Sequence, residues 1–254
     1  MRAVAGLAAA PTATRGDRLG VLAFGDSITN GGGELQWGVA LQSWAMWTAR
    51  ALGLAYTSYA ADAARVTDVL HGQIPAFAAR AAHPDARYDV GCLYIGVNDV
   101  RALDWDTAAF AADYEPALRF LCDRCDRVIT LTAPLGLGLP PAGPEVADLN
   151  AIVREIAGRL GALVVDLRTF GARNHVMADR VHPTAFGQIA IAESALAVLA
   201  ADGLPAAVAP ASLISYRATR VGRLRGDLTY VYRDAKLRAR GAVWRWPFRR
   251  RGRG

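Results

Sequence analysis

A serine stands directly after an apolar run near the start of the chain. Gly25, Asp26 and Ser27 follow residues 19–24, whose sequence reads Leu-Gly-Val-Leu-Ala-Phe. This run predicts a buried strand, so Ser27 lies at a carboxyl strand end, where open α/β sheets bind their ligands. Ser27 is therefore a candidate nucleophile. A serine in that role needs a base, a group that orients the base and donors for the oxyanion.

A carboxylate and an imidazole occur together in the C-terminal half of the chain, at Asp179 and His182. Their spacing of three lets one short turn present both side chains. We expect Asp179 to bond to one ring nitrogen and fix the tautomer, while the other nitrogen takes the proton of Ser27. Asn98 follows the apolar run 90–95, so its amide also lies at the carboxyl end of a strand. The sequence thus predicts that these groups converge on one crevice.

Strand-like and helix-like stretches alternate along the chain, which predicts a parallel sheet with right-handed crossovers. The predicted strands are 19–24, 55–60, 90–95, 128–132 and 163–166, and the predicted helices are 35–52, 65–81, 107–122, 145–160 and 184–200. No G-x-S-x-G is present, so the α/β-hydrolase nucleophile elbow is excluded as the source of the serine.

Three motifs, taken together, resemble the SGNH/GDSL family of esterases and lipases. They are Gly25-Asp26-Ser27, Gly96-Val97-Asn98-Asp99 and Asp179-Arg180-Val181-His182, and the resemblance spans roughly residues 18–199. It implies a three-layer α/β/α, flavodoxin-like fold with a five-stranded parallel sheet in the order 2-1-3-4-5. It also implies a triad of Ser27, His182 and Asp179, with Asn98 donating to the oxyanion. The activity implied is ester hydrolysis through an acyl-enzyme on Ser27, with no metal or cofactor.

The chain departs from the family pattern in the second block, where a glycine normally contributes a backbone N–H to the oxyanion hole. Ala63 occupies that position, and Ser58 stands where an asparagine is usual. The expected oxyanion hole is then the N–H of Ser27, the N–H of Ala63 and the amide of Asn98. Alanine serves without strain if its φ is negative but is strained if φ is positive.

Two other functions stay open at this point. Acyl transfer to an alcohol or sugar would use the same triad. The other alternative is a scaffold with a vestigial site that associates with a membrane or nucleic acid, which Ala63 and the basic C-terminal residues both suggest. The expected substrate is a small-molecule, lipid or carbohydrate ester. Trp37 and Arg101 are candidate substrate contacts, with core packing and a solvated loop charge as the respective alternatives.

The charge is divided unevenly between the body and the C-terminus, which bears on domain organisation. We expect a flexible Ala-rich leader over residues 1–17, a hydrolase domain over 18–205 and a basic extension over 206–254. From Arg217 to the end, 13 Lys and Arg face two Asp, whereas the remainder carries 16 basic against 21 acidic residues. Basic residues interleaved with aromatic ones suit peripheral contact with an anionic membrane. Docking of the extension on the core through Leu224, Leu228 and Val231, with its arginines facing water, is favoured over membrane contact, and nucleic acid is the least favoured partner.

The cysteine count and the N-terminus bear on the compartment. Three cysteines, Cys92, Cys122 and Cys125, cannot all pair, which favours a reduced setting. The apolar part of the leader is short for a secretion signal. We therefore expect a cytoplasmic protein that is peripheral to the membrane if the basic extension binds there, and secretion is less favoured.

Overall fold

A five-stranded, all-parallel sheet with helices on both sides forms the body of the protein, in a computed structural model that describes residues 18–33, 39–80, 85–214 and 219–249. The strand order is 2-1-3-4-5, so the predicted fold class is confirmed. The strands are β1 (Val21–Gly25), β2 (Tyr56–Ser58), β3 (Tyr88–Tyr94), β4 (Cys125–Leu131) and β5 (Leu163–Val165).

The central strands are apolar on both faces because helices cover both faces of the sheet. All five residues of β1 are buried. Phe24 packs edge-on against Phe77 and Phe120, with ring centroids 6.2 and 6.0 Å apart. The helices are α1 (Ser27–Asn30), α2 (Trp44–Leu52), α3 (Val66–Asp68), α4 (Ile74–Arg80), α5 (Thr107–Cys122), α6 (Glu145–Leu160), α7 (Ala185–Ala201) and α8 (Arg220–Arg249).

Local capping sets where several helices begin. Asp106 accepts from Ala109 N at the start of α5. Ser43 accepts from Met46 N, so α2 begins at Trp44. The reason is that a side-chain oxygen at the N-cap satisfies a backbone donor that the helix itself leaves unpaired. Of the predicted helix over 35–52, residues 39–43 are not helical, and residues 35–38 lie outside the described residues.

The predicted helix over 65–81 is interrupted. Val66–Asp68 and Ile74–Arg80 are α-helical, whereas a π-helical turn joins them at Val69–Gln73. Such turns often occur at functional sites, and this one carries Gln73, whose side chain reaches the Ser27 loop.

The C-terminal part contains a 3₁₀ turn at Pro210–Leu213 and the 30-residue helix α8. Arg173 of the body donates to the backbone carbonyl of Asp227 at 3.1 Å and lies over the ring of Tyr230 at 5.0 Å. One face of α8 therefore contacts the body. Within the described part of the chain, no helix has both the length and the apolar character that crossing a membrane requires.

Candidate active site

The turn between β1 and α1 presents Ser27. Asp26 caps α1, with its Oδ1 accepting from Ile28 N at 2.9 Å, which agrees with the structural role expected of an aspartate before a helix. Gly25 has a φ of +152°, and a Cβ there would collide with the carbonyl of Tyr94. Glycine is required at this point because the neighbouring strand end lies so close.

Ser27, His182 and Asp179 form one hydrogen-bonded chain. Ser27 Oγ lies 3.0 Å from His182 Nε2, and His182 Nδ1 lies 2.7 Å from Asp179 Oδ2. The second oxygen of Asp179 accepts from the backbone N–H groups of Val181 and His182. The turn thus orients the carboxylate, and the carboxylate orients the ring, across 155 residues of sequence from Ser27.

The electrostatics of this hydrogen-bonded triad suit His182 to act as a base. The hydrogen bond with Asp179 raises the pKa of His182 above its ordinary value, against the opposing effect of burial. Burial acts to raise the pKa of Asp179, but hydrogen bonds from His182 and from backbone N–H groups lower it overall. Asp179 is therefore ionised when it bonds to Nδ1–H, which leaves Nε2 free to accept from Ser27.

A second carboxyl group, that of Asp26, lies near the ring of His182, and its pKa is shifted in the opposite direction to that of Asp179. Its side chain has no solvent exposure, its Oδ2 has no hydrogen-bond partner among the described residues, and burial raises its pKa to about 7. The charge of His182 acts in the opposite direction and lowers the pKa of Asp26. The charge on each of these two groups therefore affects the pKa of the other.

The loops after β2 and β3 are tied together beside Ser27. Asn98 Nδ2 donates to the carbonyl of Ala64 at 3.0 Å, and both carboxylate oxygens of Asp99 accept from Val66 N. Asp99 thus caps the start of α3, because the fold brings the two loops into contact. Asn98 keeps a second amide hydrogen for another acceptor.

Ala63 lies in a tight turn in which Ala64 N donates to the carbonyl of Ala61 at 3.3 Å. Its φ is +59°, in the left-handed region. The third residue of such a turn is normally glycine or asparagine, since a Cβ is crowded there. Alanine at this position is therefore strained, and the family's preference for glycine has a conformational reason.

Two glutamines that the sequence analysis did not single out hold the Ser27 loop. Gln73 accepts from Gly25 N and donates to Gly25 O, at 3.0 and 2.8 Å. Gln188 donates to the carbonyls of Ile28 and Gly32 and accepts from Trp44 N at 2.7 Å. Neither glutamine stands out in the sequence, because other polar residues, such as His71 and Glu193, lie close to each of them.

The candidate substrate contacts have different outcomes. Trp37 lies outside the described residues. Arg101 is exposed, its Nε would lie 3.4 Å from a Cβ at Gly138, and its charge lowers the pKa of His182. Arg101 therefore lies beside the triad. Asp166, at the end of β5, pairs with Arg168 at 2.6 Å and not with His182.

The sequence profile of the GDSL-like lipase/acylhydrolase family matches residues 23–189, about two thirds of the chain. The chain belongs to this family. It is therefore a serine ester hydrolase of the GDSL type. Among curated proteins, none matches the chain.

Solved structures share the fold of this GDSL hydrolase. Axe2, an acetylxylan esterase from Geobacillus stearothermophilus, is 19% identical and has a TM-score of 0.54, over 72% of this chain and 96% of its own. A member of the lipolytic G-D-S-L family from Veillonella parvula is 24% identical with a TM-score of 0.57, over 71% of this chain and 97% of its own. LAE5, an α/β hydrolase from the metagenome of Lake Arreo, is 20% identical with a TM-score of 0.54, over 71% and 94%.

Proposed function

We propose that this GDSL hydrolase cleaves carboxylic esters with Ser27 as nucleophile, His182 as general base and Asp179 as its orienting partner. The observation that carries the proposal is the unbroken chain from Ser27 Oγ through the imidazole to Asp179, with links of 3.0 and 2.7 Å. His182 Nε2 takes the proton as Oγ attacks the ester carbonyl. The same nitrogen then gives the proton to the leaving alcohol.

The oxyanion would be held by three donors. Ser27 N–H lies in the first turn of α1, where backbone donors have no partner within the helix. Ala63 N–H has no acceptor among the described residues. Asn98 contributes the amide hydrogen that Ala64 does not use. Water then attacks the acyl-enzyme, with His182 again acting as base, and releases the carboxylic acid.

The substrate class that we propose is a small-molecule or carbohydrate ester. The crevice beside the triad carries the exposed cation Arg101, which suits a polar alcohol portion. Axe2 is an acetylxylan esterase of the same fold, so acetylated sugars are the first carbohydrate esters to test. Acyl transfer and a vestigial site gain no support from the family match.

Labelling with a fluorophosphonate tests the nucleophile. Wild type should become labelled and hydrolyse p-nitrophenyl acetate, whereas Ser27→Ala should do neither. Ser212→Ala, which changes an exposed serine, is the matched control and should behave as wild type. Labelling that persists in Ser27→Ala would overturn the assignment.

We also propose that α8 makes peripheral contact with an anionic membrane on the cytoplasmic side. Apolar side chains at spacings of three and four residues lie exposed on the helix, at Val221, Leu224, Leu228 and Val231. The extension that contains them carries 13 basic residues against two acidic ones. An apolar line within a basic helix suits an anionic bilayer surface, whereas a second copy of the helix would be repelled.

Co-sedimentation of the full chain with vesicles tests this contact. Binding should require anionic lipid, weaken as salt rises and fall in Leu224→Ser/Leu228→Ser. Leu103→Ser, which removes a fully exposed leucine from the body, should leave the binding unchanged. Equal binding to neutral and anionic vesicles would contradict the proposal.

A further inference from the structure

A cavity of about 290 Å³ lies beside the loop that carries Asp179 and His182, which we call the catalytic loop (residues 171–183). It is separate from the reacting atoms, because neither Ser27 nor His182 is among the described residues that line it. Its wall extends from the catalytic loop to the C-terminal ends of the strands and to α8. The apolar and aromatic part of the wall includes Ile28, Leu167, Phe170, Val181, Ile191 and Tyr230.

The charged part of the wall is entirely basic among the described residues. Arg173 and Arg180 line the cavity, and no carboxylate does. Arg173 is already engaged by Asp227 of α8, at 3.6 Å. Arg180, in contrast, has no side-chain hydrogen bond or ion pair with any residue that the structure describes. A cation without a partner beside an apolar cavity is suited to a ligand with an anionic head and an apolar body.

The main chain at Arg180 is held in one conformation. Arg180 has a φ of +57°, and its carbonyl accepts from Gly138 N at 2.9 Å. A left-handed residue other than glycine is held there only by its surroundings. The catalytic loop thus carries both the triad groups and the free guanidinium in one constrained turn.

Tyr230 lines the cavity from the side of α8, and the guanidinium of Arg173 lies over its ring. The neighbouring Tyr232 is exposed. The basic extension, for which docking on the core was one of the expectations, therefore supplies one wall of the cavity. That wall comes from an element outside residues 23–189, which the family profile covers.

We propose that this cavity binds a medium-chain carboxylate, with the carboxylate on Arg180 and the alkyl chain among the apolar residues. The volume corresponds to roughly ten non-hydrogen atoms at the ~30 Å³ that a water molecule occupies in the liquid, which is the size of octanoate. Acyl ester hydrolysis releases molecules of this class. Binding needs no turnover, so the inference does not depend on the proposed catalytic roles.

Isothermal titration of the full chain with octanoate tests the site. Wild type should bind one octanoate with a dissociation constant of about 1 mM or tighter, and bind octanol at least about tenfold more weakly. Octylammonium should not compete. In the unaltered protein, the preference for octanoate over octanol tests the cation, and binding of the eight-carbon chain tests the apolar wall. An absence of octanoate binding, or equal binding of octanol, would overturn the proposal.

Two matched pairs of variants locate the bound molecule. Arg180→Gln should weaken octanoate about 10- to 100-fold, whereas Arg101→Gln, beside the triad, should not. Tyr230→Ala should also weaken it, whereas Tyr232→Ala should not. Loss of binding in Arg101→Gln with retention in Arg180→Gln would place octanoate in the catalytic crevice and refute the proposal. Hydrolysis of p-nitrophenyl acetate by wild type and Ser27→Ala reports separately on the proposed function.

Discussion

Asn98 and Ala64 are joined by a hydrogen bond of 3.0 Å from the side-chain amide to the backbone carbonyl, which links the loops after β3 and β2. The bond fixes one amide hydrogen and so determines where the other points. It also holds the turn that contains Ala63. Two donors of the proposed oxyanion hole are therefore positioned by one contact.

Replacing Asn98 by alanine should lower kcat about 100- to 1000-fold with a small effect on KM, because an oxyanion donor acts mainly in the transition state. The free energy of unfolding should also fall by about 1 kcal/mol, since the bond to Ala64 is lost. Steady-state kinetics and urea unfolding measure the two effects.

Asn30→Ala is the control for this substitution. Asn30 also reaches the Ala63 turn, by donating to Asp62 Oδ1 at 3.0 Å, but it is not a proposed oxyanion donor. Its kcat should stay within a few-fold of wild type. An equal loss in both variants would mean that Asn98 acts only by holding the turn.

Ala63→Gly should raise the free energy of unfolding by up to about 1 kcal/mol, because glycine adopts a φ of +59° without a crowded Cβ. Ala61→Gly, in the same turn but without a positive φ, should lower it by about 0.5–1 kcal/mol. Thermal and urea unfolding distinguish the two.

A panel of p-nitrophenyl esters of rising chain length should show Ala63→Gly accepting longer acyl groups, if the methyl group of Ala63 narrows the acyl pocket. An identical chain-length profile in wild type and Ala63→Gly would refute that idea.

Asp179→Asn should lower kcat about 10,000-fold, since an amide partner favours the wrong tautomer of His182. The active ring is neutral, and the bond to Asp179 raises its pKa, so wild-type activity should appear only above the ordinary pKa of histidine. Without the carboxylate, the acidic limb of the profile of kcat/KM against pH should move to lower pH. Asp166→Asn, at another strand end, should leave both kcat and the acidic limb of the pH profile close to those of wild type.

Asp26→Asn should change how stability depends on pH. Because burial raises the pKa of Asp26 from 3.8 to about 7, the folded protein holds a proton that the unfolded chain has released between those values. Stability contributed by this group therefore falls as pH rises through that window. The unfolding free energy of wild type, minus that of Asp26→Asn, should decrease by roughly 2 kcal/mol or more between pH 4 and pH 8.

Urea unfolding across that pH range tests the direction of this pH dependence. Asp148→Asn, on the exposed face of α6, controls for the loss of a surface charge and should show no such trend. A wild-type advantage that grows with pH would contradict a protonated Asp26 in the folded protein.

The alternation of strand-like and helix-like stretches made much of the fold predictable from the sequence. The helices Thr107–Cys122 and Glu145–Leu160 have the predicted bounds, and the strand order agrees with the one implied by the family resemblance. The start of α2 and the π-helical turn at Val69–Gln73 were not predicted. Both depend on hydrogen bonds whose partners a hydrophobic pattern does not reveal.

The sequence by itself determined the residue types and their order: a serine after an apolar strand, an asparagine after another, and an aspartate three residues before a histidine. These are properties of short segments, and local chemistry is enough to read them.

The tertiary structure alone decided the distances, the sign of φ at Ala63, the burial that raises the pKa of Asp26 and the cavity that Tyr230 helps to line. Each depends on segments far apart in the chain meeting at one sheet edge. Packing sets these contacts, and packing is a property of the whole fold that no single segment encodes.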